Sequence, residues 1–128
     1  LNQLAHTYMQ SRNDTYVMEL AIQYIRRNYP KPITLAVVSN EVSLNYAYFS
    51  TMFSKYTGKT FSEYLRNTRM EKAKELLRQP DISIAEVAAQ VGYENYKSFY
   101  RAFKDAVGTT PVEYQQKKYR IHREDEKQ

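Results

Sequence analysis

Tyr96, Lys97, Tyr100, Arg101 and Lys104 recur at the spacing that lines side chains along the outer face of an α-helix. The cations among them can donate hydrogen bonds to guanine O6 and N7 in a DNA major groove. Upstream, Tyr46, Ala47, Ser50, Thr51 and Ser54 repeat the pattern without a charge. There the methyl groups of Ala47 and Thr51 suit the thymine methyl, and Ser50 offers a single hydrogen bond. Lys55, Lys59 and Lys104, with Ser54 and the helix starts at Asn45 and Asn95, suit phosphate oxygens. Such contacts set register and supply salt-dependent affinity without reading sequence. The expected base contacts are therefore Tyr46, Ala47, Ser50, Thr51, Tyr96, Lys97, Tyr100 and Arg101. The expected phosphate contacts are Asn45, Ser54, Lys55, Lys59, Asn95 and Lys104.

These faces need elements to hold them, and an internal repeat supplies the plan. Thr34, Leu35, Ala36, Val38 and Val42 fall on Ser83, Ile84, Ala85, Val87 and Val91. After one extra residue in the second copy, Asn45, Tyr46, Phe49 and Phe53 fall on Asn95, Tyr96, Phe99 and Phe103. Gly58, Thr60, Glu63 and Tyr64 then fall on Gly108, Thr110, Glu113 and Tyr114. Each copy reads as a capped short helix, a tight turn, a second helix, a glycine stop and a further helix start, which is a helix-turn-helix. The phenylalanines at i and i+4 define the buried face of each second helix, so the polar residues above must face outward. Thr60 with Glu63, Ser83 with Glu86, and Thr110 with Glu113 have capping-box spacing. Pro111 suits the first helical position, and Gly58 and Gly108 suit left-handed helix stops.

Helical periodicity runs through the chain, only three glycines occur, and hairpin dipeptides are missing, so the fold class is all-α. A first helix is expected from about Thr15 to Tyr29, with Val17, Leu20, Ala21, Tyr24 and Ile25 buried, ending at Pro30 and Pro32. Phe61 to Arg78 reads as a long helix that buries Leu65, Met70, Ala73, Leu76 and Leu77. The expected organisation is a tail over 1–13, a first helix-turn-helix subdomain over 14–59, a linker helix over 60–79, a second subdomain over 80–119 and a tail over 120–128.

The 128 residues suit one domain or two small subdomains, and the net charge of +5 favours polyanionic partners. With no cysteine, thiolate metal sites, disulfides and cysteine nucleophiles are excluded. His6 and His122 lie far apart with no ligand-spaced companions, so neither a metal nor a catalytic role is expected. Glu71, Lys72, Lys74 and Glu75 read as solvated helix-surface charges, not acid–base machinery. Tyr24, Tyr64, Tyr93 and Tyr114 read as packing residues. With no phosphate loop or nucleophile motif either, the expectation is a non-enzyme without a cofactor. No span or signal-peptide pattern is present, which points to a soluble cytoplasmic domain. The start at Leu1 suggests that an upstream portion is missing.

The stretches FSEYLRNTRMEKAKELL (Phe61 to Leu77), SIAEVAAQVGY (Ser83 to Tyr93) and SFYRAFKDAVGTTPVEYQ (Ser98 to Gln115) resemble the AraC/XylS family of bacterial transcription regulators. The resemblance covers nearly everything from Thr15 to Lys118. It implies seven helices, two subdomains joined by the long helix, and recognition helices that enter successive major grooves of double-stranded DNA. The family's base-contacting positions correspond to Ala47, Ser50 and Thr51 in the first helix and to Tyr96, Lys97, Tyr100 and Arg101 in the second. Many similar sequences carry Arg at the position of Thr51 and Lys at that of Ser54. The style of the motifs is similar to output domains of response regulators and membrane-sensor regulators. That implies a nucleoid-associated activator with an upstream regulatory domain and contact with RNA polymerase, its full-length form membrane-anchored in the second case. The competing reading is a helical protein-interaction module that reuses the tandem fold; it requires an apolar outer face on at least one second helix.

Overall fold

A computed structural model describes the backbone of residues 2–118 and the side chains of residues 13–118. It is all-α, with seven helices and no strand among the described residues. They are α1 (Asn2–Asn28), α2 (Leu35–Glu41), α3 (Tyr46–Thr57), α4 (Phe61–Leu76), α5 (Ile84–Gln90), α6 (Tyr96–Val107) and α7 (111–118). The expected tail over 120–128, with His122, lies outside the described residues. The chain divides into two compact units: residues through Asn28 with Pro32–Leu65, and Tyr29–Lys31 with Arg66 onward. The division falls inside α4, so its first turn groups with one unit and the remainder with the other.

α1 differs from expectation at its start and in its buried face. The backbone is helical from Asn2, through the stretch read as a tail, because nothing before Pro30 interrupts it: no glycine or proline occurs there. The buried residues are Met18, Ala21 and Ile25, while Leu20 is 38% exposed. Met18, absent from the expected face, sets its direction; two positions further on, Leu20 turns away by about 200°. Asn28 Nδ2 donates to the Tyr24 carbonyl at 2.9 Å and so occupies one of the free carbonyls at the helix end.

Unit 1 starts its repeat at Thr34, whose hydroxyl accepts from the Val37 amide at 3.2 Å and caps α2. The turn closes with the Leu44 amide donating to the Ser39 carbonyl at 2.9 Å. Phe49 and Phe53 are fully buried, 5.5 Å apart, and Phe53 meets Tyr64 edge-on at 5.3 Å. Unit 2 repeats the geometry. Ser83 caps α5 at 3.1 Å, the Tyr93 amide reaches the Ala88 carbonyl at 2.9 Å, and Phe103 meets Tyr114 edge-on at 5.6 Å. Thr60 and Thr110 accept from the Glu63 and Glu113 amides at 3.2 and 3.1 Å, and Glu113 Oε2 in turn accepts from the Thr110 amide at 3.4 Å. Gly58 and Gly108 end α3 and α6 with φ of 74° and 92°.

The turn also needs a left-handed residue after each first helix. Unit 2 uses Gly92 with φ 102°, but unit 1 uses Ser43 with φ 58°. A side chain there costs about 1–2 kcal/mol, part of which glycine's larger unfolded-state entropy offsets. Ser43→Gly is therefore expected to raise stability by about 0.5–1 kcal/mol, measured as a later denaturation midpoint. An earlier midpoint would show that the serine side chain contributes more than its conformation costs.

In unit 2, Met70 and Ala73 of α4 and Leu77 just beyond it meet Val87 and Ala88 of α5, Val91 at its C-terminal cap, and Phe99 and Phe103 of α6. Gln115 on α7 donates both hydrogens of its amide, to the Gln79 and Ile82 carbonyls at 2.9 Å each, and so closes the connection after α4.

Candidate nucleic-acid interface

The outer face of α6 follows from what pins its inner face and its start. The Asn95 carboxamide oxygen accepts from the Lys97 amide at 2.7 Å, which fixes the first turn, and Phe99 and Phe103 are buried. Lys97, Arg101 and Lys104 are thereby exposed, Tyr96 is 44% exposed and Tyr100 half-buried. The Tyr96 and Tyr100 rings lie 6.2 Å apart along that face. Among the described residues, no carboxylate pairs with Lys97, Arg101 or Lys104. Three cations on one helix face, with no carboxylate partner among the described residues, are suited to an anionic ligand.

α3 has the same frame with a different surface. Asn45 accepts from the Ala47 and Tyr48 amides at 2.9 and 3.2 Å. Tyr46 (57%), Ala47, Thr51 and Lys55 are exposed, and Ser50 and Ser54 are half-buried. The helix thus offers methyls and hydroxyls, with Lys55 towards its end. Lys59 sits in the exposed loop that follows. The Thr57 hydroxyl donates to the Phe53 carbonyl at 2.8 Å and accepts from the Lys59 amide at 3.2 Å, which holds the lysine's backbone.

All the expected contact residues thus lie on, or directly beside, α3 and α6. One expectation narrows: the carboxamide oxygens of Asn45 and Asn95 are taken by their own helices' amides, so only the remaining polar atoms of those starts can meet a phosphate. Three features had no place in the sequence reading. Tyr48, on the flank of the α3 face, donates to Asp14 Oδ2 at 2.8 Å, an α1–α3 link between residues too far apart in sequence for periodicity to pair. Thr57 acts through a hydrogen bond that its equivalent, Val107, cannot make. Arg69, on α4, donates from its Nε and Nη2 to the Tyr29 and Lys31 carbonyls at 2.8 and 3.0 Å.

Comparison with known proteins decides what this frame is. A family model described as a helix-turn-helix domain matches residues 38–117. The chain is 34% identical over 99 residues to the regulatory protein PocR of Salmonella typhimurium, covering 77% of this chain and 33% of PocR. The C-terminal domain of AraT, a response regulator from Geobacillus stearothermophilus, is 34% identical with a TM-score of 0.76, covering 79% of this chain and 84% of that one. The C-terminal domain of the two-component response regulator yesN from Fusobacterium nucleatum is 39% identical with a TM-score of 0.73, covering 76% and 95%. The chain belongs to the AraC/XylS family of transcription regulators. It spans about a third of the length of PocR, as an AraC-type DNA-binding domain.

Within this AraC-type domain two half-buried groups, Arg69 and Tyr93, titrate away from their ordinary values. Burial lowers the pKa of the Arg69 guanidinium, and burial raises that of the Tyr93 hydroxyl against the opposing pull of Arg69 and Arg66. The Arg69 guanidinium carbon lies 5.5 Å from the centre of the Tyr93 ring, within cation–π range.

Proposed function

We propose that this AraC-type domain reads an asymmetric double-stranded DNA site of about 20 base pairs, α3 and α6 entering successive major grooves. The observation that carries the reading is the exposed cationic face of α6, which has no carboxylate partner among the described residues, on a helix-turn-helix whose counterpart in the other unit presents the neutral face of α3. Lys97 and Arg101 would read guanines, Ala47 and Thr51 thymine methyls, and Ser50 one polar base edge, with Tyr46, Tyr96 and Tyr100 completing the contact. Lys55, Lys59, Lys104 and Ser54, with the helix starts at Asn45 and Asn95, would meet phosphates.

The same reading makes the protein a non-enzymatic, cytoplasmic regulator that activates transcription through RNA polymerase under control of an upstream regulatory domain. The family, and the response-regulator domains it resembles, support this. No helix among the described residues is long and apolar enough to cross a membrane.

Selection from a random duplex library tests the proposal. Two sequence blocks about one helical turn apart, bound at least about 1,000-fold tighter than a scrambled duplex, are expected. Arg101→Ala should cost about 1–3 kcal/mol on the selected site and relax one base position, while Lys55→Ala should weaken all duplexes alike and reduce the salt slope by about one. If the two variants behave alike on selected and scrambled DNA, the assigned division of roles is wrong. No enrichment of any sequence would favour a protein partner instead.

A further inference from the structure

The second turn is longer than the first by Glu94, so one more residue separates α6 from the helix before it than separates α3 from α2. An extra residue gives a turn more conformations, and a recognition helix that rotates about its axis misplaces every base contact at once. Something must remove that freedom, and the contacts behind α6 form a continuous chain. Arg69 is held by two backbone carbonyls, those of Tyr29 and Lys31, at 2.8 and 3.0 Å. The guanidinium lies over Tyr93, the residue of the lengthened turn equivalent to Leu44 in unit 1. The Tyr93 ring packs on Phe99 at 5.6 Å, and Phe99 packs on Phe103 at 5.8 Å, both on the inner face of α6. Gly92 permits the approach: a Cβ there would stand 3.1 Å from the Arg69 guanidinium carbon.

We infer that Arg69 is a positioning residue for DNA recognition, fixing the rotation of α6 through Tyr93 and Phe99 so that Lys97 and Arg101 meet their bases together. The inference rests on the reading of α6 as a recognition helix. Leu44, the equivalent residue in unit 1, offers no aromatic face to a cation, so the device belongs to α6 alone.

The test uses Arg69→Met and Tyr93→Leu, each assayed on the selected duplex and on a scrambled one of equal length, at a temperature where circular dichroism shows the variant folded. A purely structural role would lower the folded fraction and weaken both duplexes in proportion. A positioning role lowers the ratio of selected to scrambled affinity by about 10-fold or more, with the scrambled affinity nearly unchanged. The loss should also be confined to the block read by α6 when selection is repeated. If Arg69→Met fails to fold, Arg69→Lys decides on the same criteria, since it keeps the charge and loses the paired donors. A ratio within about 2-fold of the parent, or equal loss in both blocks, would overturn the inference. A parent protein with no preference between duplexes would instead overturn the proposed function.

Discussion

Gly92→Ala will destabilise this domain by about 2–5 kcal/mol, a large part of the total stability of a small domain. Two causes act together. The φ of 102° lies beyond the small left-handed basin that L-residues can use. An added Cβ would also stand 2.9 Å from the Pro30 carbonyl oxygen and 3.0 Å from that of Tyr29. Backbone cannot swing aside as a side chain can, so the turn or the segment facing it must move. The control is internal: a Cβ at Gly58 or Gly108 meets nothing within 4 Å. Gly108→Ala should therefore cost only the conformational part, about 1–2 kcal/mol. Denaturant midpoints of the two variants measure the difference; equal shifts would mean that the close approach to Tyr29 and Pro30 has no energetic weight.

Phe53→Ala should cost about 3–5 kcal/mol. Phe53 is fully buried and meets Phe49, Phe61 and Tyr64 at 5.5, 6.0 and 5.3 Å. Removing the ring leaves a cavity bounded by Phe49 of the same helix and by Phe61 and Tyr64 of α4, and the helical backbone that holds these rings limits collapse around it. The aromatic contacts add about 0.5–1.5 kcal/mol each beyond area burial. Thermal melting with and without the selected duplex gives the measurement. A loss below about 1 kcal/mol would show that the cluster refills the space.

What the sequence disclosed was whatever local geometry dictates. Caps at Thr34, Ser83, Asn45 and Asn95, glycine stops at Gly58 and Gly108, and the phenylalanine pairs each depend on residues within a few positions, so spacing reveals them. The repeat then confirmed each in a second copy. The candidate faces were legible for the same reason, since two buried phenylalanines determine which side of a helix is outward. Met18 and Leu20 show where this stops: in α1 several apolar residues compete for the core, and contacts with α2 and α3 decide the winner. Arg69, Tyr48 and Asp14 were illegible because their partners are tens of residues away. Nothing in the repeat points to them, since each occurs in one unit only.

The two copies also show which residues can change without harming the fold. Caps, turn residues, phenylalanines and the tyrosine that covers them recur between the units, or are replaced by a residue with the same backbone role. The outward positions share almost nothing beyond Tyr46 and Tyr96: Ala47 stands against Lys97, Ser50 against Tyr100, Thr51 against Arg101, Ser54 against Lys104. The sites that would choose the DNA sequence are thus separate from those that make the helix, and substitutions at the exposed ones, Ala47, Thr51, Lys97, Arg101 and Lys104, cost the fold about 0.5 kcal/mol or less. On the proposed reading, a domain of this design can move among many DNA sites while it stays folded, and α3 and α6 can each do so independently of the other.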